Sequence, residues 1–319
     1  MQIQIRQRLN LRPGELVRVR AFREILQTLD QEGTLDRLPF MPEMREYCGR
    51  TYRVYKRAEK TCVELEGVRG MENAVFLEDI RCNGAAHDGC QRACLIFWKE
   101  AWLERVTNSE LRQPDQRHQH GSDADGLKTK VDAETYFCQS TELARATNDL
   151  PWWRMSQYLN DYRYGQISLS QVVRTLSIVL YNKVMRSLGR PEYGMIRGTL
   201  SKTPDVDLGL QTGDLVEVRS KDEITATLNE SGRTRGLEFS PEMHTFCGGK
   251  FRVALPIDRM IMEGTGKMVR LQNTVLLEGT SCDGSSHRGC PRNNLFMWRE
   301  IWLQRAGQQE GSQPEETPK

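Results

Sequence analysis

The sequence has no apolar run long enough to cross a bilayer. Its longest, around Leu176 to Tyr181, is bounded by Arg174 and Lys183 and falls well short of the roughly 20 residues a membrane helix needs. No membrane segment is expected. Charge of one sign is also missing, because 45 Lys and Arg stand against 43 Asp and Glu for a net charge of +2. That balance removes any general electrostatic case for nucleic acid or acidic membranes and leaves only local basic patches. The common enzyme signatures GxSxG, P-loop, GxGxxG and HExxH do not occur. The opening Met1-Gln2-Ile3-Gln4-Ile5-Arg6-Gln7-Arg8 lacks the apolar run and small-residue cleavage site of a secretory signal, so a cytoplasmic location is expected.

What is present is a long chain with a duplicated pattern. At 319 residues there is room for two or three domains with cores of their own, so a bound metal would be local glue or chemistry. Cys82-Asn83-Gly84-Ala85-Ala86-His87-Asp88-Gly89-Cys90 is answered by Cys282-Asp283-Gly284-Ser285-Ser286-His287-Arg288-Gly289-Cys290, which keeps Cys, Gly, His, Gly and Cys while the residues between them change. Upstream, Phe40-Met41-Pro42-Glu43-Met44 leads to Cys48-Gly49, as Phe239-Ser240-Pro241-Glu242-Met243 leads to Cys247-Gly248. Downstream, Trp98-Lys99-Glu100-Ala101-Trp102-Leu103 is matched by Trp298-Arg299-Glu300-Ile301-Trp302-Leu303.

Nine cysteines is an odd number, and six of them recur beside a matched histidine that a disulfide framework would not need. Structural zinc takes four thiolate or imidazole ligands in a tetrahedron. The predicted sets are Cys48, Cys82, His87 and Cys90, and Cys247, Cys282, His287 and Cys290, giving two zinc ions per chain. The Asn-Gly or Asp-Gly pair after the first loop cysteine allows a tight turn that aims backbone N–H groups at the sulfur. Buried thiols with a hydrogen-bonded histidine are the plainer alternative, but they do not explain four donor types recurring at matched spacing.

Cys282-Asp283-Gly284-Ser285-Ser286-His287 resembles the CDGSH iron–sulfur motif, whose proteins hold a two-iron cluster with three cysteines and one histidine and work in redox or cluster transfer. That family places its histidine one residue nearer the cysteine and draws two ligands from a Cys-x-Cys pair. Zinc is therefore the expected metal, with an iron–sulfur cluster as the alternative. Taken together, the repeated Phe-x-Pro-Glu-Met, Cys-Gly, Cys-[Asn/Asp]-Gly-x-x-His-x-Gly-Cys and Trp-[Lys/Arg]-Glu-x-Trp-Leu elements resemble an uncharacterised bacterial family of duplicated Cys3His proteins. That resemblance implies an accessory role in a biosynthetic pathway.

Short strands with glycine turns predict an α+β chain of two small β-barrel units, SH3-like in strand count, each carrying a metal loop and a C-terminal helix and joined by a helical insert. The expected segments are an arm at 1–12, a first metal-binding unit at 13–106, a polar linker at 107–130, the helical insert at 131–200, a second unit at 201–306 and a disordered tail at 307–319. His118 and His120 fall in the linker and read as solvated. Within the insert, Trp152 to Tyr162 and Ser168 to Leu188 are amphipathic, with Gly189 and Pro191 as the stop.

The first copy has surplus thiols, Cys62 and Cys94, and Asn294 stands where Cys94 does; Cys138 is a further lone thiol ahead of a helix. They read as small core side chains, or as the reactive groups of a metalloenzyme or redox protein. The paired tryptophans, with Lys99, Arg299, Arg92 and Arg292 nearby, fit a packed core face better than a stacking platform for single-stranded nucleic acid. The expected function is a metal-binding accessory or scaffold protein that holds a partner protein, carrier domain or peptide beside the helical insert.

Overall fold

In each half one short strand with its apolar residues alternating inward is paired on both sides. The computed structural model describes residues 8–106 and 126–306. In the first half Leu16–Val19 buries Val17 and Val19 completely and pairs antiparallel with Thr51–Arg57 and with Leu103–Arg105. The five-stranded sheet runs Trp98–Lys99, Ala74–Leu77, Thr51–Arg57, Leu16–Val19, Leu103–Arg105. The sheet of the second half follows the same order: Leu295–Arg299, Thr274–Ser281, Lys250–Pro256, Leu215–Val218, Leu303–Arg305.

Both sheets are curled, for a reason visible in the connection between their edges. The chain passes from Trp98–Lys99 at one edge to Leu103–Arg105 at the other through only a three-residue 3-10 turn, Glu100–Trp102. A flat five-stranded sheet would separate those edges by about 19 Å, whereas three 3-10 residues advance about 6 Å. Register shifts between Val54 and Lys56, and between Val253 and Leu255, mark bulges that bend the long strands.

The C-terminal helix expected over Trp98 to Leu103, and its twin over Trp298 to Leu303, is corrected to strand, 3-10 turn, strand. The i, i+4 spacing of the tryptophans fits a helix, but a strand that turns sharply also returns both rings to one core. All four tryptophans at these places are fully buried. Phe40 meets Trp102 edge-on at 5.4 Å, and Phe239 meets Trp302 the same way at 5.3 Å. Burial also takes up the nearby basic residues: Lys99 is held by Asp36 at 3.0 Å, Arg292 by Glu263 at 2.7 Å, and Arg299 donates to the carbonyls of Gln272 and Arg235.

The insert contains helices Gln139–Ala146, Ser156–Arg163 and Leu169–Ser187, the last capped by Ser168. No described helix is long and apolar enough to cross a membrane. The chain divides into two compact units, each made of several segments of the sequence. The first takes in the described residues up to Tyr193 together with Arg259–Arg270 and Cys282–Asn294; the second holds Gly194–Asp258, Leu271–Ser281 and the described residues from Leu295 on. The second cysteine loop and the hairpin Arg259–Ile261/Met268–Arg270 thus pack with the first unit. The expected linker up to residue 125, including His118 and His120, and the expected tail lie outside the described residues.

Candidate metal centre

The second loop follows directly on the strand Thr274–Ser281, the first comes shortly after the strand Ala74–Leu77, and each is closed by its own backbone. Cys82 N–H donates to the Cys94 carbonyl at 2.8 Å, and Cys282 N–H to that of Asn294 at 2.8 Å. Inside the loop, the Gly84 carbonyl accepts from His87 and Gly89, both at 3.0 Å, and the Gly284 carbonyl accepts from His287 and Gly289, both at 2.9 Å. Only glycine fits there: φ is +67° at Gly84, and a Cβ would stand 2.0 Å from the Cys90 carbonyl oxygen. The turn aims an amide at the sulfur as expected, with Gly284 N–H 3.4 Å from Cys282 Sγ.

The first loop meets a carboxylate. Glu43, on the 3-10 turn Pro42–Tyr47, places Oε1 at 2.6 Å from His87 Nδ1, 4.0 Å from Cys82 Sγ and 3.1 Å from the Ala86 amide that donates to it. His87 Nε2 lies 3.1 Å from the Phe137 carbonyl. Glu43 Oε2 is buried with no hydrogen-bond partner among the described residues.

Glu43 was not among the predicted ligands, nor was its sequence counterpart Glu242. Their signal was the glutamate of the repeated Phe-x-Pro-Glu-Met.

Cys48 and Cys247, the predicted fourth ligands, cap the C-terminal ends of Pro42–Tyr47 and Pro241–Phe246. Cys48 Sγ points back at the Met44 carbonyl, 3.9 Å away, and burial pushes its thiol up to about 12. Cys90 Sγ accepts from the Ile261 amide at 3.4 Å, and Cys290 Sγ from the Cys62 amide at 3.1 Å. The surplus thiols are not scattered. Cys94 and Cys138 line one cavity with Cys82, His87, Cys90 and Arg292. Cys138 caps the helix Gln139–Ala146, but burial pushes its thiol up to about 12, so the helix end does not make it a thiolate.

Burial likewise raises the Cys82 thiol, helped by the Glu43 carboxylate, and raises that of Cys90. Without a cation these thiols stay protonated; a metal ion would supply the charge that lowers them.

Burial alone would raise Glu43 and lower His87, but their hydrogen bond and opposite charges outweigh it. The carboxyl titrates below its ordinary 4.5 and the imidazole above its ordinary 6.5. The imidazole half of this stabilisation is complete below pH 6.5 and is lost as pH rises through the raised His87 value; the carboxylate half is complete above 4.5 and is lost as pH falls through the lowered Glu43 value. Chelator-treated protein is therefore expected to gain most from the pair between those two pH values. The His87→Gln variant is expected to lack the fall on the alkaline side in a series of thermal melts against pH, and a profile identical to the parent would refute the ion pair.

Comparison with family models, with curated proteins and with solved structures returned no match for the chain.

Proposed function

We propose that the chain is a metal-binding accessory or scaffold protein, with zinc held at the two cysteine loops. The observation that carries this reading is one carboxylate set beside a thiol and an imidazole of the first loop, Glu43 Oε1 lying 2.6 Å from His87 Nδ1 and 4.0 Å from Cys82 Sγ, in a pattern of residues that the second copy repeats in sequence. Thiolate and imidazole donors suit zinc, and a carboxylate serves either as a ligand or as the hydrogen-bond partner that orients the histidine. The short turn joining opposite sheet edges supports SH3-like barrels as the frame. A place in a bacterial biosynthetic pathway, in the cytoplasm, is part of the same proposal.

A partner protein, carrier domain or peptide is the third element. It is supported by a stripe of exposed apolar residues at near-helical spacing, Leu169, Val173, Leu180, Val184 and Leu188, with Trp153 beside it in sequence order on the insert. The alternative is an iron–sulfur or zinc enzyme of redox type, favoured by the convergence of Cys94 and Cys138 on the cavity of Cys82, His87 and Cys90.

Elemental analysis with an absorption spectrum of aerobically and anaerobically purified protein separates them. The expected outcome is colourless protein with two zinc ions per chain. Brown protein with iron and acid-labile sulfide would overturn the zinc reading in favour of the redox one.

A further inference from the structure

The helix Leu169–Ser187 is apolar on two faces, and one of them is left uncovered. At about 3.6 residues per turn, Val172, Thr175 and Ile178 share one side and are buried. Leu169, Val173, Leu180 and Val184 share the opposite side, where Val173 and Leu180 are each 58% exposed. A surface helix needs only the stripe that faces its core, so the second stripe exceeds what folding uses.

The uncovered face suits another helix better than lipid. Ser177 stands between Val173 and Leu180 on it and donates to the Val173 carbonyl at 2.9 Å, and Ser187 donates to the Val184 carbonyl at 2.8 Å. Both hydroxyls are satisfied within the helix, so a partner can cover them without leaving a buried donor unmet. A small side chain between two larger ones also leaves a depression that receives a knob from a packing helix, whereas a face that sinks into lipid gains from bulk at that place.

The charge beside the stripe has one sign. The helix holds Arg174, Lys183 and Arg186 and no Asp or Glu. Arg186 is taken by Glu192 at 2.5 Å, but Arg174 and Lys183, one on each flank of the stripe, have no carboxylate partner among the described residues. Lys183 Nζ lies 6.0 Å from the centre of the Trp152 ring, and Tyr181 meets Tyr193 edge-on at 6.0 Å. Aromatic rings and arginine around an apolar centre are the usual anchors of protein interfaces. A second copy of the chain would set like charges against Arg174 and Lys183.

We propose that this face docks an amphipathic helix of a partner protein, with carboxylates of that helix meeting Arg174 and Lys183. The inference rests on the partner-holding reading above and gives the partner its chemistry.

The test uses the full chain and a pair of fluorescent helical peptides of about three heptads, alike in Leu at a and d and differing at e and g, Glu in one and Lys in the other. The Glu peptide is expected to bind about tenfold more tightly by anisotropy at low salt, and to protect residues 169–188 from hydrogen exchange. Arg174→Glu combined with Lys183→Glu is expected to reverse that preference, and Leu180→Asp to weaken both peptides. All three positions are exposed, and circular dichroism checks that each variant keeps the fold. Equal affinity for the two peptides, or protection elsewhere, would overturn the acidic-helix proposal while leaving a protein partner in place. Failure of both peptides to bind would overturn it as well. If the chain is then retained on phosphatidylglycerol vesicles, or dimerises through a contact that Leu180→Asp abolishes, the face belongs to lipid or to a second copy and the partner reading falls with the proposal.

Discussion

Alanine at Trp102 is expected to destabilise the first unit by about 3–5 kcal/mol, the usual cost of emptying a buried aromatic site. The ring is fully buried, meets Phe40 edge-on at 5.4 Å, and donates from Nε1 to Thr28 Oγ1 at 3.0 Å. It also sits in the turn that carries the chain from one sheet edge to the other, so the cavity opens where the curled sheet closes. Trp102→Phe keeps most of the apolar volume and loses the hydrogen bond, so it should cost less than the alanine variant. Denaturant unfolding of the three proteins provides the measurement. A loss below about 1 kcal/mol for Trp102→Ala would show that neighbouring groups collapse into the space, contrary to the packing described.

Arg57→Ala is expected to have an effect of similar size through charge rather than volume. Arg57 is fully buried and donates from Nη1 to the Leu11 carbonyl at 2.6 Å and to Glu100 Oε1 at 2.8 Å. Glu100, equally enclosed, also accepts from the amides of Asn10 and Leu11 at 3.0 Å each. Removing only the cation leaves a buried carboxylate and a buried carbonyl, for which about 3–5 kcal/mol is the usual cost. Adding Glu100→Gln should restore part of that loss, because the neutral amide needs no counter-charge. Equal unfolding free energies for the single and double variants would show that the pair is not what the alanine disrupts.

The short-range features were legible in the sequence. The strand Leu16–Val19 follows from its alternation, the helix Leu169–Ser187 from its apolar period and Ser168 cap, and the loop turns from glycines that must adopt positive φ. The tryptophan segment misled because two rings four residues apart reach one core either from a helix or from a strand broken by a tight turn. Pairing of Leu103–Arg105 with Leu16–Val19, which chooses between them, is a contact across more than 80 residues.

The sequence by itself determined the two loops and the residues they carry: Cys82, His87 and Cys90, and Cys282, His287 and Cys290, with Gly84 and Gly284 admitting no side chain where the turn folds onto Cys90 and Cys290. Their spacing lies within nine residues, so local backbone geometry suffices. Only the tertiary structure decided what each loop meets: Glu43 at His87, Cys94 and Cys138 around the first cavity, and Cys62 at Cys290. Those neighbours are brought together by strand pairing and burial over separations of up to 228 residues, and motif spacing holds no record of contacts at that range.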